Sequence, residues 1–90
     1  MSSLVYIAFQ DNDNARYVVE AIIQDNPHAV VQHHPAMIRI EAEKRLEIRR
    51  ETVEENLGRA WDVQEMLVDV ITIGGNVDED DDRFVLEWKN

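Results

Sequence analysis

Three histidines, His28, His33 and His34, come first among the residues that could do chemistry, because imidazole binds transition metals and exchanges protons near neutral pH. Their spacing argues against a shared site. Neighbouring strand residues point to opposite faces, so His33 and His34 cannot both ligate one ion from a regular strand. Asp25 and His28 stand three apart, but Pro27 between them breaks the helix that would align them. No Glu-x-x-His pair occurs, which removes a helix-borne di-iron site of the bundle kind. The histidines read as surface or edge-strand residues beside a proline turn.

Nucleophiles are scarce. There is no cysteine, which excludes disulfides, thiolate catalysis, iron–sulfur clusters and the usual structural zinc sites. The only serines, Ser2 and Ser3, sit at an end expected to fray. Thr52 is placed by its neighbours as a helix cap, and Thr72 falls in an apolar strand, so a serine-type triad has no member on a rigid element. Carboxylates are plentiful, but acid–base work needs a pocket that shifts their affinity for protons. Gly74-Gly75-Asn76 lacks the spacing of a phosphate cradle and is followed by acids that repel phosphate. It reads as a loop able to touch a partner. The run Asp78-Glu79-Asp80-Asp81-Asp82 has neither the glycine nor the closing glutamate of a calcium loop. It reads as a solvated tip, with long-range steering towards a basic partner as the lesser reading.

These residues belong to a chain of 90, enough for one modest core and one domain, taken as residues 1–90. Nine Lys and Arg stand against 19 Asp and Glu, a net charge of −10. Such a surface repels nucleic acid and anionic membranes. Residues 39–59 are neutral, with six bases and six acids, and the acid is concentrated after residue 60. The N-terminus has no basic region followed by an apolar stretch, and no run approaches a membrane span, so the expected location is cytoplasmic.

The positioning elements follow from periodicity. Leu4 to Phe9 is a buried strand. Asp11 to Asn14 form a loop ending in N-cap residues. Ala15, Val18, Val19, Ile22 and Ile23 make one apolar helix face, which Asp25-Asn26-Pro27 terminates. His28 to His33 reads as a strand, His34-Pro35-Ala36 as a turn, and Met37 to Glu43 as a half-buried strand with Ile38, Ile40 and Ala42 inward. Leu46 and Ile48 alternate with Arg45, Glu47 and Arg49, which places Glu47 on the solvent face. Thr52 to Glu55 fits a capping box, Gly58 a helix end, and Asp62 to Glu65 a second box opening a helix through Val68. Val70 to Ile73 is a strand, Gly74 to Asp82 a loop, and Phe84 to Trp88 a last strand with Phe84, Leu86 and Trp88 inward. Trp61, between the two short helices, reads as a core anchor, although Trp also serves as an interface hot spot. The fold class is α+β: a single small domain built from two strand-helix-strand-strand units.

Four stretches carry a resemblance over essentially the whole chain: Ser3 to Gln10, Asp11 to Arg16, Trp61 to Val70 and Phe84 to Trp88. The sequence resembles the small regulatory (coupling or effector) proteins of soluble di-iron multicomponent monooxygenases, nearest to the stimulatory component of bacterial phenol hydroxylase systems. That resemblance implies a non-catalytic, cofactor-free protein. Its partner is the di-iron oxygenase component, whose turnover and coupling of NADH and oxygen use to the hydroxylation of phenol to catechol it raises. It implies a separate reductase holding FAD and an iron–sulfur cluster. Methane-oxidising relatives engage the hydroxylase through a long N-terminal tail; the first strand here starts at Leu4, so no such tail mechanism is carried over. The resemblance transfers no catalytic motif. The contact residues we expect are polar positions beside exposed apolar surface: Arg39, Asn56, Trp61, Gly74, Gly75 and Asn76. Two other classes remain open on the residues alone, a small-molecule-binding regulatory domain and an acidic mimic of nucleic acid.

Overall fold

A computed structural model describes residues 4–88; Ser2 and Ser3 lie outside the described residues. β1 (Leu4–Gln10) turns Val5, Ile7 and Phe9 into the core, all fully buried. Asn12 caps α1 (Asp13–Asp25), its side-chain oxygen accepting the N–H of Ala15 at 2.8 Å. The helix thus begins before its apolar stripe does. Ala15, Val18, Val19 and Ile22 face the core as the spacing predicts, whereas Ile23 is exposed and Ala21 is buried in its stead.

β2 (Val30–His34) starts two residues later than expected, and β3 (Met37–Glu43) buries Ile38, Ile40 and Ala42 as predicted. Lys44, in the left-handed region at φ 71°, turns the chain out of the first sheet. β4 (Arg45–Arg49) then begins the second.

α2 (Arg50–Leu57) corrects the expected cap at Thr52. Arg49 occupies the N-cap position without a side-chain bond, and Thr52 lies inside the helix. The helix follows directly on β4, leaving no loop in which Thr52 could act. Gly58 ends it at φ 73°, as expected. Asp62 caps α3 (Val63–Met66) in a complete capping box with Glu65, though the helix stops before Val68.

β5 (Val70–Gly74), β6 (Asn76–Glu79) and β7 (Arg83–Glu87) complete the chain. The stretch read as a loop from Gly74 to Asp82 therefore contains a strand. Its acids disguised it, because charge on an edge strand is how a sheet edge is kept from pairing further. Only Asp80 to Asp82 form the turn, where Asp80 Oδ1 accepts the N–H groups of Asp82 and Arg83. Trp88 also differs from expectation. β7 ends at Glu87 and the indole is 47% exposed, its N–H donating to the Leu4 carbonyl at 2.7 Å.

The first sheet runs β2-β3-β1-β5 and the second β4-β7-β6, with every pairing antiparallel. In the first unit the second, third and first strands lie in that order. The second unit repeats it as β6-β7-β4, with α2 and α3 in the place of α1. β5 is the addition: it joins the first sheet beside β1, with a bulge between Ala8 and Phe9. The inner faces of both sheets and the apolar faces of all three helices share one core.

Candidate functional site

With the helices packed on the core side, each sheet turns its other face outward. On the first sheet, period-two alternation sends Tyr6, Arg39, Glu41, Gln32 and Gly74 to that outer face. Tyr6 is paired with Gly74, and any Cβ at position 74 would overlap the Tyr6 ring. The ring thus lies flat over the glycine backbone. The Arg39 guanidinium stacks 4.0 Å from the Tyr6 centroid and pairs with Glu41 at 3.2 Å. Gln32 donates to the other oxygen of Glu41, also at 3.2 Å. Two of the sequence candidates, Arg39 and Gly74, are therefore joined through a tyrosine that sequence reasoning did not single out. The period-two placement of Tyr6 and Gly74 is visible only once β5 is known to pair with β1.

Gly75 carries the chain from β5 in one sheet to β6 in the other, at φ 134°, a conformation open to glycine. Asn76 opens β6 on the outer face of the second sheet, opposite Glu87. Asn56 and Trp61 lie elsewhere, on the helical side. Asn56 donates to the Thr52 carbonyl at 3.0 Å and accepts from Gln24 at 3.2 Å, tying α2 to α1. Trp61 is buried in the core, with its backbone N–H bound to Glu54 at 2.8 Å. Beside it α1, α2 and α3 leave a groove of about 280 Å³ edged by Leu57, Met66 and the exposed Val68. The six expected contact residues thus occupy three surfaces rather than one.

Glu47 corrects the expectation of a solvent-facing carboxylate. It sits midway along β4, an outer strand, on the outward face of the second sheet, yet is only 9% exposed. Arg45 donates to Oε1 at 3.2 Å, while Arg49 and Arg83 donate to Oε2 at 3.3 and 3.5 Å. Burial opposes the charge, but Arg45 and Arg49 outweigh it and hold the carboxyl below its usual range. The backbone of Glu47 is fixed as well: its N–H and carbonyl bond the side chain of the buried Asn26 at 2.9 and 2.6 Å. The alternation Arg45-Leu46-Glu47-Ile48-Arg49 was the readable signal. What it lacked was Arg83, brought in by the β4–β7 register that pairs Arg49 with Arg83.

His28 bonds the Arg45 carbonyl at 3.2 Å, and among the described residues no three His, Asp or Glu side chains converge as metal ligands. No helix among them is long and apolar enough to cross a membrane. The arrangement offers outward polar surfaces on two sheets, which defines the class: a small α+β domain with faces suited to binding.

The chain belongs to the MmoB/DmpM family, whose match spans residues 3–87. It is similar to a chain in a structure of a phenol hydroxylase–regulatory protein complex, at 70% identity and a TM-score of 0.92, over 96% of this chain and 99% of that one. A second such complex matches at 67% identity and a TM-score of 0.88, over 94% of this chain and 99% of the other. The regulatory protein B of soluble methane monooxygenase shares the fold, at 23% identity and a TM-score of 0.77, over 99% of this chain and 67% of that one.

Proposed function

We propose that this protein is the non-catalytic stimulatory component of a multicomponent phenol hydroxylase. It binds the oxygenase component and raises both turnover and the coupling of NADH and oxygen use to the conversion of phenol to catechol. The observation that carries this reading is 70% identity over nearly the full length of both chains to a member of a phenol hydroxylase–regulatory protein complex. The chemistry belongs to the partners: di-iron in the oxygenase, FAD and an iron–sulfur cluster in the reductase. The protein works in the cytoplasm as a single domain over residues 1–90 and holds no cofactor of its own. Of the six expected contact residues, Arg39, Asn56 and Asn76 present polar groups to the partner. Trp61 and Gly74, both buried, hold the surfaces in shape from within, and the half-buried Gly75 joins the two outer faces where the partner can reach it.

A protein that performs no turnover changes its partner's reactivity by binding some of its conformations more tightly than others. A tenfold stimulation needs about 1.4 kcal/mol of such preference, well within one interface. The test is steady-state phenol hydroxylation with oxygenase and reductase fixed while this protein is titrated. The rate should rise and saturate. A rate indifferent to the protein, or catechol formed without the oxygenase, defeats the reading.

A further inference from the structure

Val68 is the most exposed large apolar side chain among the described residues, at 79%. A lone surface valine means little by itself. What distinguishes this one is the segment that carries it. The turn from α3 into β5 is fastened through Asp69. Its N–H donates to the Met66 carbonyl at 3.0 Å, its carbonyl accepts the Gln10 N–H at 2.8 Å, and its Oδ1 accepts the Asn12 side-chain amide at 2.8 Å. Asn12 is itself held, since its oxygen caps α1. Three residues beyond Val68, Ile71 is 51% exposed. β5 has one residue more than β1 between the Phe9–Val70 and Ala8–Thr72 pairs, and that residue is Ile71. A bulge of this kind takes a side chain out of the alternation of its strand. Two β-branched apolar groups with few rotamers thus stand in water on a fastened segment, which lowers the entropy that docking costs.

Val68 also edges the groove between the helices, beside Leu57, Trp61 and Met66. The charged residues of that groove are Arg59, Glu65 and Asp69. Arg59 and Glu65 pair with each other at 3.3 Å. Asp69 is half-buried, and among the described residues its carboxylate has the neutral Asn12 amide for a partner and no cation. The groove therefore keeps one unanswered negative charge, set between exposed apolar groups.

We propose that this rim, Val68 and Ile71 with Asp69 between them, docks on the oxygenase component at a patch where a Lys or Arg side chain stands among apolar ones. The inference rests on the proposed function and adds which part of the surface docks and on what chemistry. Charge selects the occupant. A carboxylate covered by a purely apolar surface loses water and gains no partner, so the surface that covers this one brings a cation. A second copy docking by the same rim sets two such carboxylates together, and like charges oppose that pairing.

The experiment measures the affinity of the full chain for the purified oxygenase component, by titration at low and at physiological salt. The variants are Val68→Ser, Ile71→Ser, Asp69→Asn and Val68→Ile, with Val30→Ser and Glu20→Gln as controls. Val30 is an exposed valine on β2, at the opposite edge of the first sheet from β5. Glu20 lies on α1 beside Tyr17 and does not line the groove. Val68→Ser should weaken binding about tenfold and Ile71→Ser about fivefold, as truncated apolar anchors do. Asp69→Asn, whose amide oxygen still accepts from Asn12, should weaken binding about fivefold and flatten its salt dependence. Val68→Ile and both controls should stay within about twofold of wild type. Rim variants that melt as wild type does and bind no worse than the controls overturn the inference while leaving the proposed function intact. A wild-type dimer in sedimentation that Val68→Ser dissolves also overturns it, because a second copy is then the occupant. Wild-type protein that does not bind the oxygenase overturns both.

Discussion

Replacing Asn26 by Ala tests how the two units are joined. Asn26 follows the last turn of α1 and is 3% exposed. β4 is an outer strand of its sheet, so the outward N–H and carbonyl of Glu47 have no strand to pair with. The Asn26 amide takes that role, accepting from the Glu47 N–H at 2.9 Å and donating to the Glu47 carbonyl at 2.6 Å. It also donates to the Ile22 carbonyl at 2.8 Å. Alanine leaves a buried donor and a buried acceptor of Glu47 unpaired, at roughly 1–3 kcal/mol each, so about 3 kcal/mol in all. With an m-value of about 1.5 kcal/mol/M, the urea midpoint should fall by about 2 M. Asn26→Asp should cost at least as much at neutral pH, because a carboxylate keeps the bond to the Glu47 N–H but turns charge against two carbonyl oxygens. Part of that loss should return in acid, where the protonated group donates to one of them. Equilibrium urea unfolding followed by circular dichroism reads both variants. An alanine midpoint within about 0.3 M of wild type would refute the claim that this amide completes the strand edge.

Other outcomes follow from the same structure. Gly74→Ala should lower stability by about 1–3 kcal/mol, because its Cβ displaces the Tyr6 ring and with it the Arg39 stack; in a Tyr6→Ala background thermal unfolding should register a smaller loss, and an equal loss would break the argument. Asp62→Ala should cost about 0.5–2 kcal/mol through the lost capping box. Thr52→Ala, inside α2, should change stability by no more than about 0.5 kcal/mol, and urea midpoints that reverse this order would restore Thr52 as a cap. Glu47 has its folded pKa lowered from 4.5, so its ion pairs contribute stability above that value and lose it as pH falls through the lower, folded one. Thermal melts from neutral pH down to about pH 3 should show Glu47→Gln less stable at neutral pH and flatter in acid than wild type; parallel curves would deny Glu47 that role.

Period two and period 3.6 leave local marks, and these carried most of the fold into plain view. β1, α1, β3 and β4 were legible because each buries one face and repeats that face along its length. Asp62 and Gly58 were legible because caps act within a few residues. Whole-chain similarity settled the family, since no single motif in these residues would have. The sequence by itself therefore determined most elements of both units, β6 excepted, together with the class of protein and its acidic character. It did not determine which strands pair, because pairing depends on contacts between residues far apart in the chain. Whether β5 lies beside β1 or beside β7 decides that Tyr6 covers Gly74 and carries Arg39. Whether β7 lies beside β4 decides that Arg83 reaches Glu47, and so that a glutamate which alternation sends to solvent is instead buried under arginines. β6 escaped notice for the related reason that an edge strand needs only one neighbour and can carry acids where a central strand cannot. Local propensity reports what a segment can become, and only the tertiary structure decides what it lies against.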